Sequence, residues 1–243
     1  MAKTAMRILL GSGGFRTPER IALLTGLLRE HFQGAKRVLF IPYALADHDG
    51  YVLKLTELGL NAGYDLDGIH RHVDPQRAVA EAEAVYVGGG NTFRLVDALY
   101  RFNLIDPIRQ RVQSGMPFFG VSAGANVACP TMKTTNDMPI VMPPSFETLG
   151  LVPFQINPHY FGGGFFIKQG EDFVAHFGET RDDRLREFHE MNQTPVVGLW
   201  EGGVLRMYDG GIELLGAPAR IFRPGVDPVD VDPPADLTSL LPA

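Results

Sequence analysis

Five short apolar runs recur along the first half of the chain, and most lead through a turn into an amphipathic stretch. They are MRILLGSGG from residue 6, RVLFIPYA from 37, the weaker YDLDGIHR from 64, AVYVGGG from 84 and MPFFGVS from 116. Continuous apolar runs of this length read as strands buried on both faces, and alternation with helices makes the sheet parallel. The helices carry their own signals. Thr17 is placed as an N-cap with Pro18 behind it, and Ile21, Leu24, Leu27 and Leu28 share one face. The stretch 49–63 reads as a second helix, Asp74-Pro75 starts a third, and NTFRLVDALYRFN a fourth. In such folds ligands sit beyond the carboxyl ends of the strands. Two of those ends carry GGGNT and GVSAGAN, so the two turns are expected to share one rim.

Past residue 130 the pattern loosens into a segment rich in Pro, Thr, Asn and Gly, which points to functional loops. TRDDRLREFHEMN reads as a helix capped by Thr180, and residues 196–216 read as strands with a tight turn at Asp209-Gly210. From Arg223 the chain is Pro- and Asp-rich and is expected to be irregular. The expected organisation is one α/β domain over 1–222 and a tail over 223–243.

Composition narrows the function classes. The 243 residues include one cysteine, Cys129, which excludes an intrachain disulfide and a Cys-rich zinc site. A net charge of −6 speaks against a nucleic-acid partner. No apolar run is long enough to span a membrane, and the N-terminus lacks the layout of a signal peptide. A cytoplasmic protein is the expectation.

The chemistry centres on FFGVSAGANVAC. Gly120, Ser122 and Gly124 form Gly-x-Ser-x-Gly between a strand and a helix. A sharp turn there exposes a serine hydroxyl and aims the next N–H, that of Ala123, at a developing oxyanion. The string alone is equally compatible with a plain strand–helix turn. VYVGGGNTF puts bare N–H groups at a helix start, where an anion or oxyanion binds. It lacks the Lys-Ser/Thr of a P-loop. A serine nucleophile calls for a histidine base. Of seven histidines, His31 and His189 read as helix-surface residues and His70 and His72 as rim candidates. His159, after the strand-and-proline turn LVPFQINP, comes first among several. Asp137 and Glu201 both stand as the carboxylate that orients the imidazole.

Taken together, VGGGNTF, GVSAGANVACPTMKTTNDMPIV, INPHY, GETRDDRLRE and GLWEGG resemble the peptidase E family, the α-aspartyl dipeptidases among serine peptidases. The resemblance reaches from residue 7 to about 220. It implies a flavodoxin-like parallel-sheet sandwich akin to class I glutamine amidotransferases, with the nucleophile on a strand–helix elbow, and a homodimer. It implies Ser122 as nucleophile, His159 as base and Glu201 as third triad member, with Asp137 in reserve, and no metal or cofactor. Oxyanion donors come from Ala123 and the Gly88–Gly90 run, foremost Gly89 and Gly90. The implied substrate is an aspartyl dipeptide, its carboxylate gripped by Arg181, with Asn91, Thr92 and Asn126 as secondary pocket residues. The chain order Ser, His, acid differs from that of α/β-hydrolases. A serine at the elbow disfavours an amidotransferase. Two rivals stand beside this expectation: a cyanophycinase-like peptidase acting on β-aspartyl-arginine, and an inactive scaffold binding a small anion. The Phe- and Gly-rich segment between His159 and Glu179 is a candidate lid, and Cys129 reads as a packing residue.

Overall fold

The computed structural model describes residues 6–208 and 210–241, so Asp209 of the expected tight turn lies outside the described residues. Five parallel strands form its centre: β1 (Ile8–Gly11), β2 (Arg37–Ile41), β3 (Asp65–Gly68), β4 (Val85–Val87) and β5 (Phe118–Val121). They lie in the order β1-β5-β4-β2-β3. Strands β2 to β5 thus take the relative places of the first four strands of a flavodoxin-like sheet, and β1 takes the fifth. Antiparallel strands β10 (Val204–Tyr208), β11 (Gly211–Leu215) and β14 (Ala235–Asp236) extend the sheet beyond β1.

Alternating side chains on these strands feed two cores. Leu9, Phe40, Tyr86 and Phe119 pack with Leu24 and Leu28 of α1 (Pro18–His31) and Val52 and Leu55 of α2 (His48–Glu57). Leu10, Ile41, Val87 and Phe118 pack with α3 (Pro75–Glu81), α4 (Thr92–Arg101) and α5 (Ile105–Gln113). Helix α2 stops at Glu57, short of the expected end near Gly63, because residues 58–63 break into successive turns. Helix α5 has no counterpart in the sequence expectation.

A second sheet, in the order β13-β12-β9-β6, covers the outer side of the larger core. It comprises β6 (Gln155–Tyr160), β9 (Val196–Trp200), β12 (Ala219–Arg223) and β13 (Val226–Val231). Its far face holds α7 (Arg181–Met191) through Leu185, Val196, Tyr160 and Phe222. Thr180 caps α7 in a reciprocal capping box with Asp183. The segment after His159 forms an exposed hairpin, β7 (Phe165–Gln169) with β8 (Asp172–His176).

The tail is not irregular. Strand β13 pairs with β12, β14 pairs with β11, and Leu237 and Leu240 are buried in the main core. Backbone pairing and two apolar anchors order it despite its prolines.

Candidate active site

Ser122 stands between β5 and the short helix α6 (Ala123–Asn126) with φ 55° and ψ −113°. A non-glycine residue reaches this region only when its surroundings force it there. Here they do. A Cβ on Gly120 would come within 2.2 Å of the Gly124 carbonyl oxygen, and one on Gly124 within 2.1 Å of the Val87 carbonyl oxygen. The two glycines let strand, turn and helix close around the serine, and the Ser122 N–H is anchored on the Gly11 carbonyl at 2.9 Å. The turn is a strained elbow, not a plain crossover.

Ser122 Oγ lies 2.9 Å from His159 Nε2, and His159 Nδ1 lies 3.2 Å from Glu201 Oε1. His159 is itself held at φ 52°. The device holding it is Ser12, fully buried just after β1. Ser12 Oγ accepts the His159 backbone N–H at 2.8 Å and donates to the Leu199 carbonyl at 2.7 Å. Gly13 and Gly14 then pass directly under the imidazole and the carboxylate. A Cβ on Gly13 would fall 2.5 Å from His159 Cε1, and one on Gly14 2.6 Å from Glu201 Oε2. Gly13 also receives the Gly202 N–H on its carbonyl at 2.8 Å, tying this turn to the one that carries Glu201. Arg20 Nη1 donates to the Gly14 carbonyl and stands 3.8 Å from Glu201.

The Gly88–Gly90 run closes the other side. Gly88 N–H donates to Ile41 O, Gly89 N–H to the Tyr51 hydroxyl at 2.8 Å, and Asn91 N–H to Ala44 O. Gly89 is therefore corrected as an oxyanion donor: its N–H is occupied by Tyr51. Among the described residues the Gly90 N–H has no acceptor. The Ala123 N–H, first in its helix, has none within the helix. A Cβ on Gly89 would stand 3.0 Å from Ser122 Cβ, so the run passes close beside the elbow.

This geometry coincides with a family match. The model of peptidase family S51 matches residues 7–215. The chain belongs to peptidase family S51. It is a serine-type peptidase. Among its S51 relatives, a protein named peptidase E from Streptomyces coelicolor is 50% identical, with 84% of this chain and 82% of that protein covered. A probable alpha-aspartyl dipeptidase from Drosophila melanogaster is 43% identical, with 99% of each covered. Two solved structures share the S51 chain's fold at lower identity. A peptidase from an acI-B1 actinobacterium has a TM-score of 0.67 at 16% identity, with 98% of each chain covered. A putative peptidase E from Listeria monocytogenes has 0.64 at 20%, with 88% and 99% covered.

Arg181, the first residue of α7, is half-buried. Its Nη1 donates to Asn136 Oδ1, and its guanidinium stands 5.7 Å from the Phe161 ring centre. Asn136 also accepts from Asn157 and donates to the Pro158 carbonyl at 2.7 Å, next to His159. No carboxylate pairs with Arg181 among the described residues, whereas Arg184 and Arg186 pair with Glu179, Asp182 and Asp183. Burial, and then the charge of Arg184, pull the Arg181 pKa below its ordinary value.

Other expected site residues have structural work. Asp137 accepts from the Thr92 N–H and hydroxyl at 2.7 and 2.6 Å and from Thr135, so it caps α4 and does not contact the imidazole. Thr92 is fully buried by that cap. Asn91 caps the same helix through Arg94 N–H and donates to Met138 O. Asn126 is buried and donates to the Ile156 carbonyl at 2.7 Å, pinning α6 to β6. These contacts place Thr92 and Asn126 in the protein interior, out of a pocket wall. His31 is no surface residue: it is buried against the Phe118 carbonyl. His70 and His72 engage Asp49 and Asp67. Cys129 is buried, its thiol pushed up to about 12 by desolvation, which leaves it protonated. Among the described residues no group of three His, Cys, Asp or Glu side chains is placed to hold a metal, and no helix is long and apolar enough to cross a membrane. Ser12, Gly13, Gly14, Tyr51 and Asn136 complete the site; four of them lie in the strings GSGG and TTND, and Tyr51 lies in neither.

Proposed function

We propose that this S51 chain is a dipeptidase that releases an N-terminal aspartate from Asp-X dipeptides through Ser122, His159 and Glu201. The observation that carries the reading is the 2.9 Å contact between Ser122 Oγ and His159 Nε2 on a strained elbow. His159 accepts the serine proton as Oγ attacks the scissile carbonyl. Glu201 accepts a hydrogen bond from His159 Nδ1–H and stabilises the imidazolium. The N–H groups of Gly90 and Ala123 receive the tetrahedral oxyanion. His159 then protonates the leaving amine. Water, deprotonated by His159, hydrolyses the aspartyl ester and restores Ser122.

The demand for aspartate rests on Arg181. A half-buried guanidinium without a carboxylate partner among the described residues suits a bidentate grip on a substrate carboxylate. The name carried by the Drosophila relative points the same way.

The test is hydrolysis of Asp-Leu, Glu-Leu, Asn-Leu, Leu-Leu and β-Asp-Arg by the wild type and Ser122→Ala. Cleavage of Asp-Leu alone, abolished in the variant, is the expected result. Cleavage of β-Asp-Arg in its place keeps the triad and replaces the substrate. Aspartate binding with no turnover of any peptide overturns the enzymatic reading.

A further inference from the structure

We propose that Tyr51 is a positioning residue that sets the oxyanion hole, acting through the peptide of Gly89 and not on substrate. The inference rests on the reading of Ser122 as nucleophile. Tyr51 lies in the first turn of α2, on a different element from every residue of the triad. Its ring packs edge-on to Phe40 at 5.1 Å, and its hydroxyl accepts the Gly89 N–H at 2.8 Å. The glycine run is shaped around it: a Cβ on Gly88 would meet Tyr51 Cε1 at 2.7 Å and the hydroxyl at 2.9 Å.

The pattern of backbone partners gives this contact its meaning. Along the run, the N–H groups of Gly88, Gly89 and Asn91 are taken by Ile41 O, Tyr51 and Ala44 O. Among the described residues Gly90 alone is left open, at φ 135°. Three of the four peptides are thus clamped, and the clamp on Gly89 is the one made by a side chain. Without it the Gly88–Gly89 peptide has no partner for its N–H and is free to rotate. Rotation there changes the direction of the Gly90 N–H, one covalent step on. Backbone donors help only when aimed at the oxyanion before it forms. Burial pushes the Tyr51 hydroxyl up to about 12, so it stays neutral and its hydrogen bond from Gly89 does not change with pH across the working range of a serine peptidase.

The experiment compares wild type with Tyr51→Phe, which keeps the ring and removes the acceptor. A packing control, Phe40→Leu, perturbs the same core without touching the hydroxyl. The readouts are kcat and KM for Asp-Leu, inhibition by an aspartyl aldehyde, whose serine adduct carries an oxyanion, and binding of free aspartate, which has none. In Tyr51→Phe, kcat falls roughly ten- to hundredfold. KM and aspartate binding stay within about twofold, and aldehyde inhibition weakens in step with kcat/KM. Phe40→Leu lowers the melting temperature with kcat retained. Unchanged kcat in Tyr51→Phe overturns the proposal. So does a loss shared equally by aspartate binding, or one reproduced by Phe40→Leu. Labelling of Ser122 by a fluorophosphonate uses the same donors but not the aspartate subsite. If Asp-Leu is not a substrate, a slower labelling rate in Tyr51→Phe still upholds the proposal, and an equal rate overturns it. No labelling of the wild type overturns it together with Ser122's role.

Discussion

His159 Nδ1 and Glu201 Oε1 stand 3.2 Å apart with both side chains open to solvent, 39% and 53% exposed. An exposed contact between an imidazole and a carboxylate is screened by water and salt, so Glu201 is expected to contribute less than a buried carboxylate in its place would. Glu201→Gln is therefore expected to lower kcat by roughly ten- to hundredfold, against a loss on the order of a millionfold for Ser122→Ala. Steady-state rates on Asp-Leu check the ratio. A Glu201→Gln loss as large as that of Ser122→Ala counts against the exposed-pair argument.

Gly13→Ala and Gly14→Ala are expected to lower activity with Ser122, His159 and Glu201 themselves unchanged in sequence. Each adds one methyl at positive φ, directed at His159 Cε1 or the Glu201 carboxylate. Displacing a catalytic group by about 1 Å costs on the order of a hundredfold in rate. Gly34→Ala is the comparison, because Gly34 also has positive φ (95°) but nothing within 4 Å of its Cβ position. It should lower stability by about 1 kcal/mol and leave kcat/KM intact. Equal activity losses in all three variants would reduce the effect to general backbone strain.

These glycines show where sequence stops informing. Apolar runs and caps at Thr17, Asp74 and Thr180 are local signals, and they locate the central sheet and its helices. Ser122, His159 and Glu201 lie in strings that the family resemblance picks out, whereas spacing alone leaves several histidines and both Asp137 and Glu201 open. What holds them is different in kind. Ser12 reaches His159 across 147 residues and Tyr51 reaches Gly89 across 38, and neither pairing leaves a periodic trace. Helix α5 is hidden by Pro107, which sits in its first turn where proline is tolerated. The Asp- and Pro-rich tail reads as irregular because β13 is largely exposed and has no continuous apolar run. His31 reads as a surface residue because its helix face does not reveal that Phe118 of β5 lies against it.

Arg181 can be tested by separating charge from shape. Arg181→Gln should lower kcat/KM for Asp-Leu by roughly ten- to hundredfold, the worth of a charged hydrogen bond. The effect on Asn-Leu should be slight. Arg181→Lys should recover only part of the loss, because a point charge does not reproduce the planar fork or its place near Phe161. A uniform loss across both peptides would assign Arg181 to holding Asn136 and the His159 turn, not to reading the substrate.

Ending the chain after Arg223 removes β13 and β14 along with Leu237 and Leu240, 5% and 6% exposed in the intact fold. Two buried leucines are worth about 1.5–3 kcal/mol each. The truncated chain should therefore lose several kcal/mol in urea denaturation. A midpoint within error of the full chain's would return this segment to the status of an ornament.

His31 makes stability depend on pH at a distance from the active site. Its Nε2 donates to the Phe118 carbonyl at 3.0 Å, so the neutral ring carries its lone pair on Nδ1, which is buried without a partner among the described residues. Protonating Nδ1 would bury a cation near Arg7, which donates to the His31 carbonyl. Burial first, and Arg7 second, lower the pKa to about 3. In the unfolded chain the pKa is about 6.5. Above that value both states are neutral and His31 adds no pH dependence. Below it the unfolded chain takes up a proton that the folded chain refuses, so stability falls at about 1.4 kcal/mol per pH unit until the pH nears the folded value. Urea denaturation at pH 7.5, 6.5, 5.5 and 4.5, for wild type and His31→Phe, isolates this from the carboxylates common to both. The stability difference should shift by about 2 kcal/mol in favour of the variant between pH 6.5 and 4.5. A difference that stays constant over that range would mean the ring is not held neutral in the fold.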